Sequence, residues 1–456
     1  MLATASAPWI VPNHVLAGPD RVGANDRIEI GLIGVGMRGK YLLSNLPQNG
    51  RLTALCDFSL SQIETARKPT GRFAEILKSF AEGDGPACKI YQDYRELISE
   101  HRMDAVIVSA PDHHHAQAAV LACQAGCDVY IEKPLTVSIA EGRAIVNAAR
   151  EHQRVVQVGS QQRSMLVNRQ ACEFIRDGGL GRIHFVEERN YPGPMPYEAA
   201  EFPEEMSPDD LQWDLFCGPT PLRPYNHNLW IKDDYQYGYL LWRGWDLFRD
   251  YSGHLMTNWG AHSLDMVQYA LGTDHTGPVK IEPHLDDVDA FSDDPWHDKT
   301  PPLGTVFDKS ADKLRFCAVT MTYADGIEVR LRSDVRKTTF HGEKGRLILS
   351  RNDYAVEPDG LLSPPDENEQ ARWTGEGHVA RPHLENWLEA IRTRGETNAP
   401  IEVGHRTATL CHLANLARQL NRTLHWNPES EQFIGDDAAN KLLTRPRRRS
   451  FELPVN

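Results

Sequence analysis

Residues Ile28-Glu29-Ile30-Gly31-Leu32-Ile33-Gly34-Val35-Gly36-Met37-Arg38-Gly39 decide the fold of this 456-residue chain. The first six read as a short apolar strand, the next six as a glycine turn, and residues 41–46 as the start of a helix. In a strand–turn–helix of this kind the first glycine permits the tight turn and the second lets the backbone approach a pyrophosphate. The third lets helix and strand pack closely. Amides at the helix N-terminus then face the phosphates. A bare glycine pattern is weak evidence, but here the context is complete. Residues 52–56 read as the next strand and Asp57 ends it, 18 residues beyond Gly39, where a carboxylate accepts from ribose hydroxyls. A carboxylate there disfavours a 2′-phosphate, so NAD is expected and NADP less so.

Downstream, residues 105–110, 128–131 and 155–158 read as further buried strands, with helical stretches at 116–125 and 139–152 between them. Strands alternating with helices imply right-handed crossovers and a doubly wound parallel sheet, an α/β Rossmann domain over residues 27–159. After Gly159 the rhythm changes. Residues 183–190, 316–323, 327–333 and 346–349 alternate apolar and polar side chains, and Asp325-Gly326 is a hairpin signal. The expectation for residues 160–456 is an α+β domain with an open, mostly antiparallel sheet, an aromatic-rich insertion at 191–251 and a C-terminal extension.

Composition narrows the function classes. A formal charge of −14 repels phosphate backbones, and the arginines between 445 and 449 are one small patch, so nucleic acid is not expected as a partner. No stretch has the roughly 18–20 apolar residues of a membrane span. Eight scattered cysteines form neither a disulfide framework nor metal spacing, and the adjacent His113-His114-His115 do not converge on one ion, so no metal is expected. Residues 1–18 carry an apolar, small-residue pattern without a basic n-region. Within a segment 1–26, that pattern fits a leader remnant of an exported, periplasmic protein as well as it fits the flexible arm of a cytoplasmic one.

Ligands of open α/β sheets bind beyond the carboxyl ends of the strands. Ala110-Pro111-Asp112 ends one strand and Glu132-Lys133-Pro134 the next. A lysine there, partly desolvated, is suited to stabilise or protonate a substrate oxygen; a surface lysine in a proline-fixed turn is the equal alternative. With Asn258-Trp259-Gly260-Ala261-His262 leading to Asp265, these markers make the chain from about Arg27 onward resemble the Gfo/Idh/MocA oxidoreductases, the glucose-fructose oxidoreductase and inositol dehydrogenase family. The resemblance implies chemistry on sugars or cyclitols, an open sheet that commonly mediates homo-oligomer contacts, Lys133 as the active-site lysine and His262 as the acid/base histidine. It also implies His115 beside the nicotinamide and residues 159–163 at the domain junction.

One departure stands out: the family usually has aspartate where this chain has Asn258, and an asparagine cannot raise the basicity of a neighbouring histidine by charge. The expected catalytic set is therefore Lys133, His262 and Asn258. Gly34, Gly36, Met37, Arg38, Gly39, Asp57, Ala110, Pro111, His115 and Glu132 are expected at the cofactor. Arg163, Tyr191, Trp213 and Trp259 are candidates for a carbohydrate surface, since aromatic faces stack on sugar CH groups. The expected activity is hydride transfer between a secondary alcohol and NAD. The alternative is a redox-neutral glycosidase or lyase that retains its NAD.

Overall fold

The structure is a computed structural model that describes residues 23, 26–199, 202–227, 229–230, 244–285, 314–373 and 380–454. The leader-like segment, Tyr237 and Trp242 of the insertion, and the acidic loop at Asp286, Asp287, Asp293 and Asp294 lie outside the described residues.

Six strands, β1 (Ile28–Ile33), β2 (Gly50–Cys56), β3 (Lys89–Tyr91), β4 (Ala105–Val108), β5 (Asp128–Ile131) and β6 (Val156–Val158), form a parallel sheet in the order 3-2-1-4-5-6. Every residue of β4 and β5 is buried, because helices cover both faces, which is why these strands read as unbroken apolar runs. The helices that matter for the site are α1 (Met37–Asn45), α2 (Asp112–Gln124) and α3 (Ile139–Glu151). The strand order reverses between β1 and β4, so the crevice for a ligand opens beyond their carboxyl ends.

The second sheet has nine strands in the order 13-12-11-7-10-9-8-14-15. They are β7 (Ile183–Arg189), β8 (Lys280–His284), β9 (Ala318–Thr322), β10 (Glu328–Arg332), β11 (Thr338–Gly342), β12 (Gly345–Ser350), β13 (Asp353–Glu357), β14 (Leu424–Asn427) and β15 (Gln432–Phe433). Among the described residues of this sheet, only β7 and β10 pair in parallel. On β10, Val329 and Leu331 are buried while Glu328, Arg330 and Arg332 point outward, the period of two seen in the sequence. The buried face packs on α4 (Leu166–Arg176), α5 (His254–Asn258), α6 (Gly260–Leu271) and α8 (Ile401–Leu420) around Val186, Leu264, Leu331, Phe340 and Leu413.

One helix leaves its sequence neighbourhood. The helix α7 (Arg381–Thr393) returns to the first sheet, where Leu384, Trp387 and Leu388 join the core of Leu42, Leu55 and Tyr130. Burying each such side chain is worth about 1.5–3 kcal/mol. The same return is tied down by hydrogen bonds to backbone carbonyls: Val158 N–H donates to Ala399 O at 2.9 Å, and the Gln157 side-chain Nε2 donates to His383 O at 2.7 Å.

Candidate active site

Gly34 adopts φ +90°, and a Cβ there would lie 2.4 Å from Ala110 N, so this turn demands glycine. A Cβ at Gly36 would meet nothing within 4 Å, which leaves the turn an open face, as a pyrophosphate requires. The helix α1 starts at Met37, so Arg38 and Gly39 lie in its first turn and Gly39 abuts the Gly34 carbonyl. Asp57 braces this turn: its Oδ2 accepts from Val35 N at 2.7 Å and its Oδ1 from Ser59 N at 3.0 Å. A carboxylate oxygen can accept more than one hydrogen bond. Asp210, from the insertion, also reaches this point and accepts from Ser59 Oγ at 2.9 Å and Ser61 N at 3.0 Å. No local sequence signal marked Asp210.

Arg38 and Glu132 pair with each other: Arg38 Nε donates to Glu132 Oε1 at 2.8 Å. Glu132 is buried and also accepts from the Lys133 backbone N–H, so the carboxylate ties the glycine turn to the end of β5. His115 is likewise buried, with Nδ1 2.8 Å from Pro134 O and Nε2 2.8 Å from Ala110 O. It clamps the ends of β4 and β5 together, and Pro111 precedes the helix that carries it. The helix α2 starts at Asp112, before the expected 116, so all three histidines lie on it. Nε2 of both His113 and His114 lies 2.8 Å from Phe216 O, and burial pushes the His114 imidazole down to about 3. These two rings hold the insertion against the first sheet.

Lys133, Asn258 and His262 come together across the seam between the sheets. Lys133 Nζ donates to Asn258 Oδ1 at 2.8 Å. Burial lowers the lysine to about 8, with Glu132 opposing. His262 lies on α6, which starts at Gly260, and its ring meets Trp259 edge to face at 6.2 Å. Its burial, and then the charges of Arg351, Lys133 and Arg38, push the imidazole well below the usual range. It is therefore neutral, as a general base must be before it acts. Arg351, which no sequence motif marked, donates from Nη2 to His262 Nε2 at 3.3 Å. Tyr191 lies within electrostatic reach of Arg351, and the Arg189 guanidinium stacks over its ring at 5.4 Å.

Two candidates for the carbohydrate surface have other partners. Arg163 is buried and pairs with Asp265 at 2.9 Å and Asp274 at 2.6 Å, stacked over Tyr269. It pins the junction. Trp213 stacks on Phe216 at 4.7 Å and donates its indole N–H to Arg223 O, inside the aromatic core of the insertion. A cavity of about 480 Å³ lies apart from this seam, between Ser138, Arg249, Gly253 and Asn415, and none of Lys133, Asn258, His262 or Arg351 lines it. Among the described residues no cluster of His, Cys, Asp and Glu could hold a metal ion, and no helix is long and apolar enough to cross a membrane.

A glycine-turn dinucleotide domain, joined to an open-sheet domain with a lysine and a histidine at the seam, defines a two-domain protein of the dinucleotide-binding class. Residues 28–160 match the oxidoreductase family with NAD-binding Rossmann fold, and residues 197–302 and 308–453 match that family's C-terminal alpha/beta domain. The chain belongs to the Gfo/Idh/MocA family. The inositol 2-dehydrogenase of Salmonella typhimurium is 29% identical over 188 residues, 40% of this chain and 50% of that protein. The chain thus aligns with about half the length of the curated relatives it matches. Glycosyl hydrolase family 109 protein 2 of Shewanella sp. is 29% identical over 132 residues, 28% of this chain and 27% of that one. Among solved structures, the WlbA dehydrogenase of Bordetella pertussis in complex with NADH and UDP-GlcNAcA shares the fold, with TM-score 0.58 at 16% identity over 90% of this chain and 99% of that one.

Proposed function

We propose that the protein is an NAD-dependent dehydrogenase of a secondary hydroxyl on a sugar, glycoside or cyclitol. The observation that carries the reading is the meeting of Lys133 and Asn258 at 2.8 Å beside a neutral, buried His262, where the ends of β4 and β5 face α6. NAD, when bound, supplies the hydride acceptor. His262 Nε2 takes the hydroxyl proton, and the Lys133 ammonium, held toward the site by Asn258, stabilises the developing alkoxide. His262 is buried while Lys133 and Asn258 are half-buried, so the site shields the base and leaves the lysine side open to a substrate. The open face of the second sheet is proposed as the contact of a homo-oligomer, which light scattering after size exclusion tests.

The test of the activity is formation of NADH, read by absorbance, on a panel of sugars, glycosides and cyclitols. The absence of any NADH sinks it. The similarity to a family 109 glycosyl hydrolase supports a second reading, in which the cofactor is retained and the sugar is released without net redox change. Mass spectrometry of the denatured protein for retained NAD, with an assay for glycoside cleavage, separates the two.

A further inference from the structure

The contact between Arg351 and His262 is at odds with the base function assigned to that histidine. A base accepts a proton through a free lone pair, yet Arg351 Nη2 donates to Nε2 at 3.3 Å. For His262 to act through that nitrogen, the guanidinium has to move onto something it prefers to an imidazole. A neutral hydroxyl offers a hydrogen bond of the same order, whereas an anionic group offers paired, charge-assisted bonds roughly twice as strong.

The surroundings favour the anion. The charges acting on His262 come from Arg351, Lys133 and Arg38, all cations. Among the described residues, Glu132, whose charge acts on Arg351, is paired with Arg38, and Asp112 accepts from Ser252 Oγ at 2.6 Å. Position 258, where the family usually offers an aspartate, holds a neutral carboxamide. Arg351 sits in the two-residue turn between β12 and β13. Its neighbour Asn352 is fixed at φ +58° by Asn168 Oδ1 at 2.8 Å and by Gln370 O at 2.8 Å. The backbone is therefore held, and only the side chain has to swing.

Resting on the dehydrogenase reading above, we propose that Arg351 receives an anionic group of the substrate. The substrate is then an acidic sugar bearing a carboxylate or a phosphate, and its arrival draws the guanidinium off His262 and frees Nε2 to take the hydroxyl proton.

The test is calorimetric binding to the NAD-loaded enzyme of glucuronate, galacturonate and glucose 6-phosphate, beside glucose and myo-inositol. The first two against the third separate carboxylate from phosphate. An acidic sugar binds more tightly than its neutral counterpart, and Arg351→Met weakens it by about 30-fold or more and so removes that advantage, while NAD itself binds as before. The proposal falls if no acidic sugar binds, if Arg351→Met leaves acid binding unchanged, or if the variant loses NAD, which would assign the anion to the cofactor. Neutral sugars that yield NADH while acids do not bind would overturn this inference and leave the dehydrogenase reading standing.

Discussion

Lys133 Nζ and Asn258 Oδ1 meet at 2.8 Å, a hydrogen bond between residues 125 positions apart that joins the end of β5 to the end of α5. The residue that departs from the family pattern therefore acts on the lysine. Burial already holds Lys133 near 8, so its ammonium, and with it turnover, is lost as pH rises through that value. Asn258→Asp places a negative charge against the ammonium and moves this basic limb upward by about one unit or more. A pH–rate series on both proteins checks it. An unmoved basic limb would mean that Lys133 is not the titrating group.

Lys133→Met removes the charge but keeps most of the bulk. Turnover falls by about 10²-fold or more, while the calorimetric affinity for NAD stays within a few-fold, because the ammonium acts on the substrate oxygen. Near-normal turnover in this variant would displace the active site from the end of β5.

Asp57 and Asp210 converge on Ser59, one on its amide and the other on its hydroxyl. Two carboxylates at the end of β2 repel a 2′-phosphate. Asp57→Ala weakens NAD by about 1–3 kcal/mol, since both ribose bonds and the brace on Val35 are lost. Asp210→Asn leaves NAD affinity nearly intact and raises the NADP to NAD ratio. Titration of both cofactors against both variants decides it, and an unchanged ratio for Asp210→Asn removes that residue from cofactor selection.

Arg163→Met leaves Asp265 and Asp274 without their cation in a buried junction, at a cost of about 3–5 kcal/mol. Denaturant unfolding reads this as a lower midpoint. A normal midpoint with a raised sugar KM would return Arg163 to the carbohydrate surface.

Arg143 and Arg406 join Glu402 and Glu431, and so join α3, α8 and the turn before β15. Burial acts to raise Glu402, but the hydrogen bonds and charges of the two arginines outweigh it and hold the carboxyl at about 2. A depressed carboxylate contributes stability above its unfolded value, near 4.3, and loses it as pH falls through the folded value. Glu402→Gln therefore lowers stability by about 1–3 kcal/mol at neutral pH, a range discounted for the partial exposure of the cluster. The gap to wild type closes between about pH 4.5 and 2. A gap that persists at pH 2 would point to packing and not to charge.

The buried strands were legible because β1 from Ile30 and β5 from Val129 are apolar on both faces, and their spans match the runs read in the sequence. The strand β3, two exposed residues and one half-buried at the sheet edge, carries no such pattern, and neither do the short β14 and β15. Lys133, Asn258 and His262 were legible through motifs. Arg351 was not, since its contact with His262 joins residues 89 positions apart and depends on a hairpin turn. The aromatic insertion misled for a related reason. Composition cannot tell a ring that meets a sugar from one like Trp213, which meets Phe216.

The return of α7 to the first sheet has a consequence during synthesis. Trp387 meets Tyr130 edge to face at 5.6 Å, yet roughly 220 residues separate the end of β6 from the start of α7. At about 5–20 residues per second, that stretch takes roughly 10–45 s to emerge from the ribosome. For that interval the nascent cofactor domain carries a bare apolar flank where Leu384, Trp387 and Leu388 will later sit. A chaperone that shields the flank, or a pause in translation that lengthens the wait, would act on the yield of folded enzyme without touching any residue of its chemistry.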